Sequence, residues 1–144
     1  MADINLYIQI LSQIPLFAGL KEKQLKNLAN NLTVREYEEE ELIITQGKGG
    51  QGLFALVEGS ANALRTQPDG DQVKVNEFGP KDFFGELALL DDGLRTASVI
   101  ATSKVKCLVL TRWDFQGILK NEPEMAIDML VELAKRFRRA LETL

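Results

Sequence analysis

Between positions 42 and 112 the chain is cut into short apolar or alternating runs, and this texture constrains the fold more than anything else in the sequence. The runs cover 42–45, 53–57, 61–66, 72–78, 96–101 and 105–110. Between them stand Gly47, Gly49-Gly50, Glu58-Gly59, Pro68-Asp69-Gly70 and Phe78-Gly79-Pro80. Many short strands at this spacing predict a sandwich or barrel. The stretch 67–71 has the composition of a hairpin tip. The acidic run 38–41 reads as a solvated turn.

Helical patterns flank this region. Leu6, Ile8, Ile10, Leu11 and Ile14 recur at three- and four-residue steps until Pro15 breaks the run. A second helix is expected to carry Leu25, Leu28, Ala29 and Leu32 on one face. Near the end, 113–119 reads as a short helix, and Pro123 suits the first turn of a longer one. That last helix has two apolar stripes. One holds Ile127, Leu130, Val131, Ala134, Phe137 and Leu141; the other holds Met125, Met129, Leu133, Ala140 and Leu144. Two stripes call for two partners, one being the strands and the other a ligand or a second subunit. The expected plan is a single domain over 1–144, mainly β with flanking helices. Its parts are N-terminal helices at 1–32, a β-barrel at 33–112 and C-terminal helices at 113–144.

Composition excludes several functions. The sequence has no histidine and one cysteine, which removes Ser-His-Asp catalysis, histidine-ligated zinc and an iron–sulfur cluster. Cys107, inside an apolar run, reads as an inert core thiol. Net charge is -4, so an anionic ligand needs local cations, and direct contact with nucleic acid is not expected. No stretch is apolar enough to span a membrane, and the N-terminus lacks the basic start of a secretory signal, so a cytoplasmic location is expected.

The segment from Phe84 to Val99 carries the chemistry. Gly85-Glu86 leaves a strand and opens a short apolar helix, where backbone amides suit a phosphate. Glu86 would repel that phosphate and is better matched to the vicinal hydroxyls of a sugar. Arg95, nine residues later, can grip a phosphate with its planar fork. Together these describe a nucleotide pocket. Read singly, Gly-Glu is a common pair, and Arg95 could form a surface pair with Asp91 or Asp92.

As a whole the segment resembles the phosphate-binding cassette of the cyclic-nucleotide-binding domain family, F-G-E-L-A followed by R-[TSA]-A-[ST]-V. Pro15-Leu16-Phe17-Ala18-Gly19-Leu20, Gln46-Gly47, the stretch from Leu53 to Ser60, and Asp114-Phe115 extend the likeness over nearly the whole chain. The resemblance implies a β-barrel of jelly-roll type with a C-terminal lid or dimerisation helix, cAMP or cGMP as ligand, and no metal or catalysis. It implies that Glu86, with the Gly85 backbone, holds the ribose 2′-hydroxyl, and that Arg95 pairs with an exocyclic phosphate oxygen, aided by the amides of Ala88 and Ala97. Leu87 would line the pocket. Thr96 stands where a hydroxyl can touch a syn guanine, without deciding between the two nucleotides. Val73 and Val75 are expected walls for the base, and Arg136, Phe137, Arg138, Arg139 or Ala140 would cap it. One departure is Gly79-Pro80-Lys81-Asp82, where the family often has glycine in place of Lys81. Residues 122–139 resemble the dimerisation helix of catabolite-activator-type regulators, which implies a homodimer and, as one alternative, a sensor segment lacking its DNA-binding part. The other alternative is a degenerate interaction module, though such members usually lose the arginine or the glutamate kept here.

Overall fold

The computed structural model describes residues 3–48, 51–91 and 93–144. Gly49-Gly50 and Asp92 lie outside them. The chain forms two compact units, residues 33–112 and the flanking 1–32 with 113–144.

The strand unit contains β1 (Thr33–Tyr37), β2 (Leu42–Ile44), β3 (Gly52–Glu58), β4 (Ala61–Thr66), β5 (Gln72–Phe78), β6 (Phe83–Phe84), β7 (Ser98–Ala101) and β8 (Val105–Thr111). Two four-stranded sheets result, ordered β1-β8-β3-β6 and β2-β7-β4-β5, and the ladders between neighbours are antiparallel. The mainly-β jelly-roll expectation holds, with the sheets paired separately rather than joined into one closed ladder. Phe54, Leu56, Val105, Cys107 and Val109 of one sheet share a core cluster with Ala61, Ala63, Val99 and Ala101 of the other. Alternating apolar residues fill the space between two sheet faces in this way. The small alanines on β4 leave room for the aromatic stack of Phe54 on Phe84, whose ring centroids are 5.3 Å apart.

One strand, β1, escaped the sequence reading, whereas β6 is the strand expected just before Gly85. β1, Thr-Val-Arg-Glu-Tyr, is largely exposed and has little apolar alternation, and its pairing with β8 holds it in place. β6 is two residues long. The expected strand at 96–101 starts at Ser98. In the acidic run, Glu41 donates its amide to the Glu38 carbonyl, and Glu40 has φ +71°, which makes the expected turn a tight one.

The helical unit contains α1 (Ile4–Ser12), a 3-10 turn at Pro15–Phe17, α2 (Glu22–Asn30), most of α3 (Arg112–Asn121) and α4 (Pro123–Glu142). Asp3 caps α1 by accepting the Leu6 amide at 3.1 Å. α2 ends at Asn30, two residues short of Leu32. Phe17 and Phe115 are buried side by side, and Gln24 and Asn27 of α2 donate to Asp128 and Glu122. The two stripes of α4 differ only near its start, since in the second stripe Leu133 is half-buried and Ala140 and Leu144 are exposed. Met125 and Met129 are buried, whereas Ile127, Leu130, Val131, Phe137 and Leu141 are exposed. Among the described residues, no helix is long and apolar enough to cross a membrane.

Candidate functional site

A cavity of about 510 Å³ opens in the strand unit. Its volume lies within the range of small-molecule sites, about 300–1,000 Å³. Asn76 and Phe78 of β5, both residues of β6, the stretch Gly85–Ala88, Asp91 and the stretch Gly93–Thr96 line it. Phe78 and Phe84 form an aromatic floor with centroids 4.9 Å apart.

Gly85 joins β6 to a 3-10 turn at Glu86–Leu89 and takes φ +82°, a left-handed conformation natural to glycine. Its missing side chain is also the floor on which Arg95 rests. A Cβ there would strike Arg95 Nη1 and lie 2.6 Å from the Gly52 carbonyl oxygen and 3.0 Å from Arg95 Nη2. Arg95 Nη2 donates to the Gly52 carbonyl at 2.7 Å. The backbone of Arg95 is fixed as well. Its amide donates to the Lys48 carbonyl and its carbonyl accepts the Gly47 amide, each at 2.9 Å. Gln46 anchors that loop by imitating a strand rung, accepting the Thr66 amide and donating to the Thr66 carbonyl.

Arg95 Nε is buried and has no acceptor among the described residues. Burial lowers the pKa of Arg95 from its ordinary value. A guanidinium nonetheless stays protonated in proteins, so the site holds a partly desolvated cation with an unmatched donor. Leaving such a donor unmatched costs roughly 1–3 kcal/mol, which an anion accepting its hydrogen bond would offset. Glu86 is half-buried on the same wall, with Oε2 shielded from solvent. The surface pair with Asp91 does not form; Asp91 accepts the Gly93 amide instead. Asp92, the other suggested partner, lies outside the described residues.

The remaining expected residues divide. Leu87 stands at the mouth, 57% exposed, and Thr96 lines the cavity from an exposed position. Ala88 is buried in the lining, but its amide donates to the Gly85 carbonyl at 3.1 Å and so is engaged within the turn. Ala97 packs against the strand core and is not among the lining residues. Val73 and Val75 do not line the cavity either. The β4–β5 register passes from Ala63 opposite Asn76 to Leu64 opposite Lys74, which leaves Val75 as the extra residue of a bulge. Asn76 and Phe78 therefore take the wall given to the valines. Arg136 is half-buried and Phe137 exposed, both on α4 of the helical unit. Sequence reasoning also missed Arg65, whose Nε donates to the Thr96 carbonyl at 3.3 Å. No spacing rule connects those two positions; only the β4–β7 pairing does. Among the described residues, no cluster of three or more His, Cys, Asp or Glu is placed to hold a metal ion.

Comparison with known proteins agrees with this geometry. The sequence profile of the Cyclic nucleotide-binding domain family matches residues 34–122. A Cyclic AMP receptor protein from Thermus thermophilus is 32% identical over 126 residues, covering 88% of this chain; the chain spans only 58% of that relative. The N-terminal domain of a transcriptional regulator from Streptomyces coelicolor has a TM-score of 0.87 at 32% identity, with 94% of this chain and 96% of that one covered. The regulatory subunit of a cAMP-independent protein kinase A from Trypanosoma brucei has a TM-score of 0.71 at 31% identity, covering 94% of this chain and 47% of that one. A left-handed glycine, a half-buried glutamate and a desolvated arginine around one cavity thus occur in a chain that belongs to the cyclic nucleotide-binding domain family.

Proposed function

We propose that residues 1–144 act as one cytoplasmic sensor module that binds cAMP or cGMP and performs no catalysis. Arg95 meets the cyclic phosphate, with its buried Nε and remaining fork hydrogens as donors. Glu86 and the Gly85 backbone hold the ribose 2′-hydroxyl, and the base lies against the Phe78–Phe84 floor. The observation that carries this reading is the buried, unmatched Nε of an arginine packed on a side-chain-free Gly85. The output runs through α4, whose exposed stripe of Ile127, Leu130, Val131 and Phe137 suits a second copy of the chain. A ligand drives that output only through unequal affinity for the two states of α4. The Streptomyces neighbour also favours a second reading of the output, in which the module serves a transcriptional regulator.

Calorimetric titration with cAMP and with cGMP tests the pocket. One of them should bind, and Arg95→Ala should cost roughly 2–5 kcal/mol of binding, because the phosphate loses a desolvated charge partner. An unchanged dissociation constant in that variant would remove Arg95 from the account. One solved relative is described as cAMP-independent, so the ligand is settled by titration rather than by membership.

A further inference from the structure

We propose that Asn76 reads position 6 of the bound purine and selects an acceptor there, so that the pocket prefers guanine- and hypoxanthine-type bases to adenine. The inference rests on the nucleotide reading above. Among the described residues lining the cavity, Glu86, Asp91 and Arg95 are charged, and Asn76 and Thr96 are the neutral polar side chains. The aromatic rings of Phe78, Phe83 and Phe84 supply shape but do not distinguish an oxygen from an amine.

The orientation of the Asn76 amide follows from its neighbour. Asn76 Oδ1 accepts the backbone N–H of Glu77 at 2.8 Å. Turning the group over would set two donors against each other, so the oxygen must face Glu77. The NH2 group is left with two donors, and no hydrogen bond of the described residues uses them. Guanine and hypoxanthine present acceptors at both N7 and O6, whereas adenine presents an acceptor at N7 and a donor at N6. A fixed amine matches the first edge. Against adenine it sets donor against donor at position 6.

The test compares dissociation constants of cAMP, cGMP and cIMP for the wild-type chain, Asn76→Ala and Asn76→Asp. The inosine nucleotide lacks the 2-amine of guanine, so a contact at Thr96 does not enter the comparison with cAMP. The wild type should bind cIMP about tenfold more tightly than cAMP, the scale of one hydrogen bond gained and one mismatch avoided. Asn76→Ala should bring that ratio close to one. Asn76→Asp, which offers acceptors, should invert it; the ratio is the readout because added negative charge weakens every anion alike. Equal wild-type affinities, or a ratio that survives in Asn76→Ala, would overturn the inference while leaving Arg95-dependent binding in place. Failure of the wild type to bind any of the three would overturn the pocket reading itself, and this inference with it.

Discussion

Replacing Gly85 with alanine probes two separate demands on one backbone position. The first is conformational, because φ +82° puts an L side chain in the left-handed region at roughly 1–2 kcal/mol. The second is steric. The new Cβ would press on the Arg95 guanidinium and sit 2.6 Å from the Gly52 carbonyl, so the hydrogen bond between those groups cannot survive unchanged. Losing a hydrogen bond to a charged group costs about 1.5–3 kcal/mol. The sum, roughly 3–5 kcal/mol, is an upper value because the flexible arginine can swing aside. Gly70→Ala isolates the first demand, since Gly70 has φ +93° with nothing within 4 Å of its Cβ position. Denaturant unfolding of both variants should show Gly70→Ala losing about 1–2 kcal/mol and Gly85→Ala at least 1 kcal/mol more. The same Gly85 variant should bind cyclic nucleotide weakly, because its arginine is displaced. Equal losses at the two glycines, with affinity intact, would refute the idea that Gly85 is a seat for Arg95.

Lys81 holds φ +73° where its amide donates to the Leu56 carbonyl, so the turn is required by the strands and strained by the residue. Lys81→Gly should raise stability by about 0.5–1 kcal/mol, relief of strain exceeding the added freedom of the unfolded chain, and a measured loss would contradict this. Burial pushes the Cys107 thiol up to about 11, so the folded chain should resist maleimide at pH 8, with labelling that tracks unfolding. Folding raises this pKa, so its contribution to stability is complete below the ordinary thiol value and drains as pH rises toward 11. Cys107→Ala should flatten that part of the stability profile; an identical profile would show that the thiol does not contribute.

How much could be read from the chain alone depended on what enforces each feature. β4 and β5 were legible because the Pro68-Asp69-Gly70 tip brackets them with turn chemistry, and their bounds were anticipated as Ala61–Thr66 and Gln72–Phe78. β1 was not, because an exposed strand with a charged face lacks the apolar alternation that signals strands. Gly85, Glu86 and Arg95 were legible as a pattern, and the structure brings them around one cavity. The wall expected at Val75 was misplaced because a bulge there resets the alternation and brings Asn76 opposite Ala63 instead, whereas Val73, opposite Arg65 near the hairpin tip, lies beyond the residues that line the cavity. Arg65 and Gln46 reach their partners by hydrogen bonds to Thr96 and Thr66 across the sheet, a relation set by register and invisible to linear spacing.

The most direct test of a cyclic-nucleotide sensor is thermal or chemical unfolding of the 144-residue chain with and without each nucleotide, alongside Arg95→Ala. A nucleotide bound at about 10 μM and supplied at about 1 mM should stabilise the wild type by about 2.7 kcal/mol and leave the variant nearly unmoved. No stabilisation by either cAMP or cGMP, or the same gain in both proteins, would contradict the assignment of phosphate capture to Arg95.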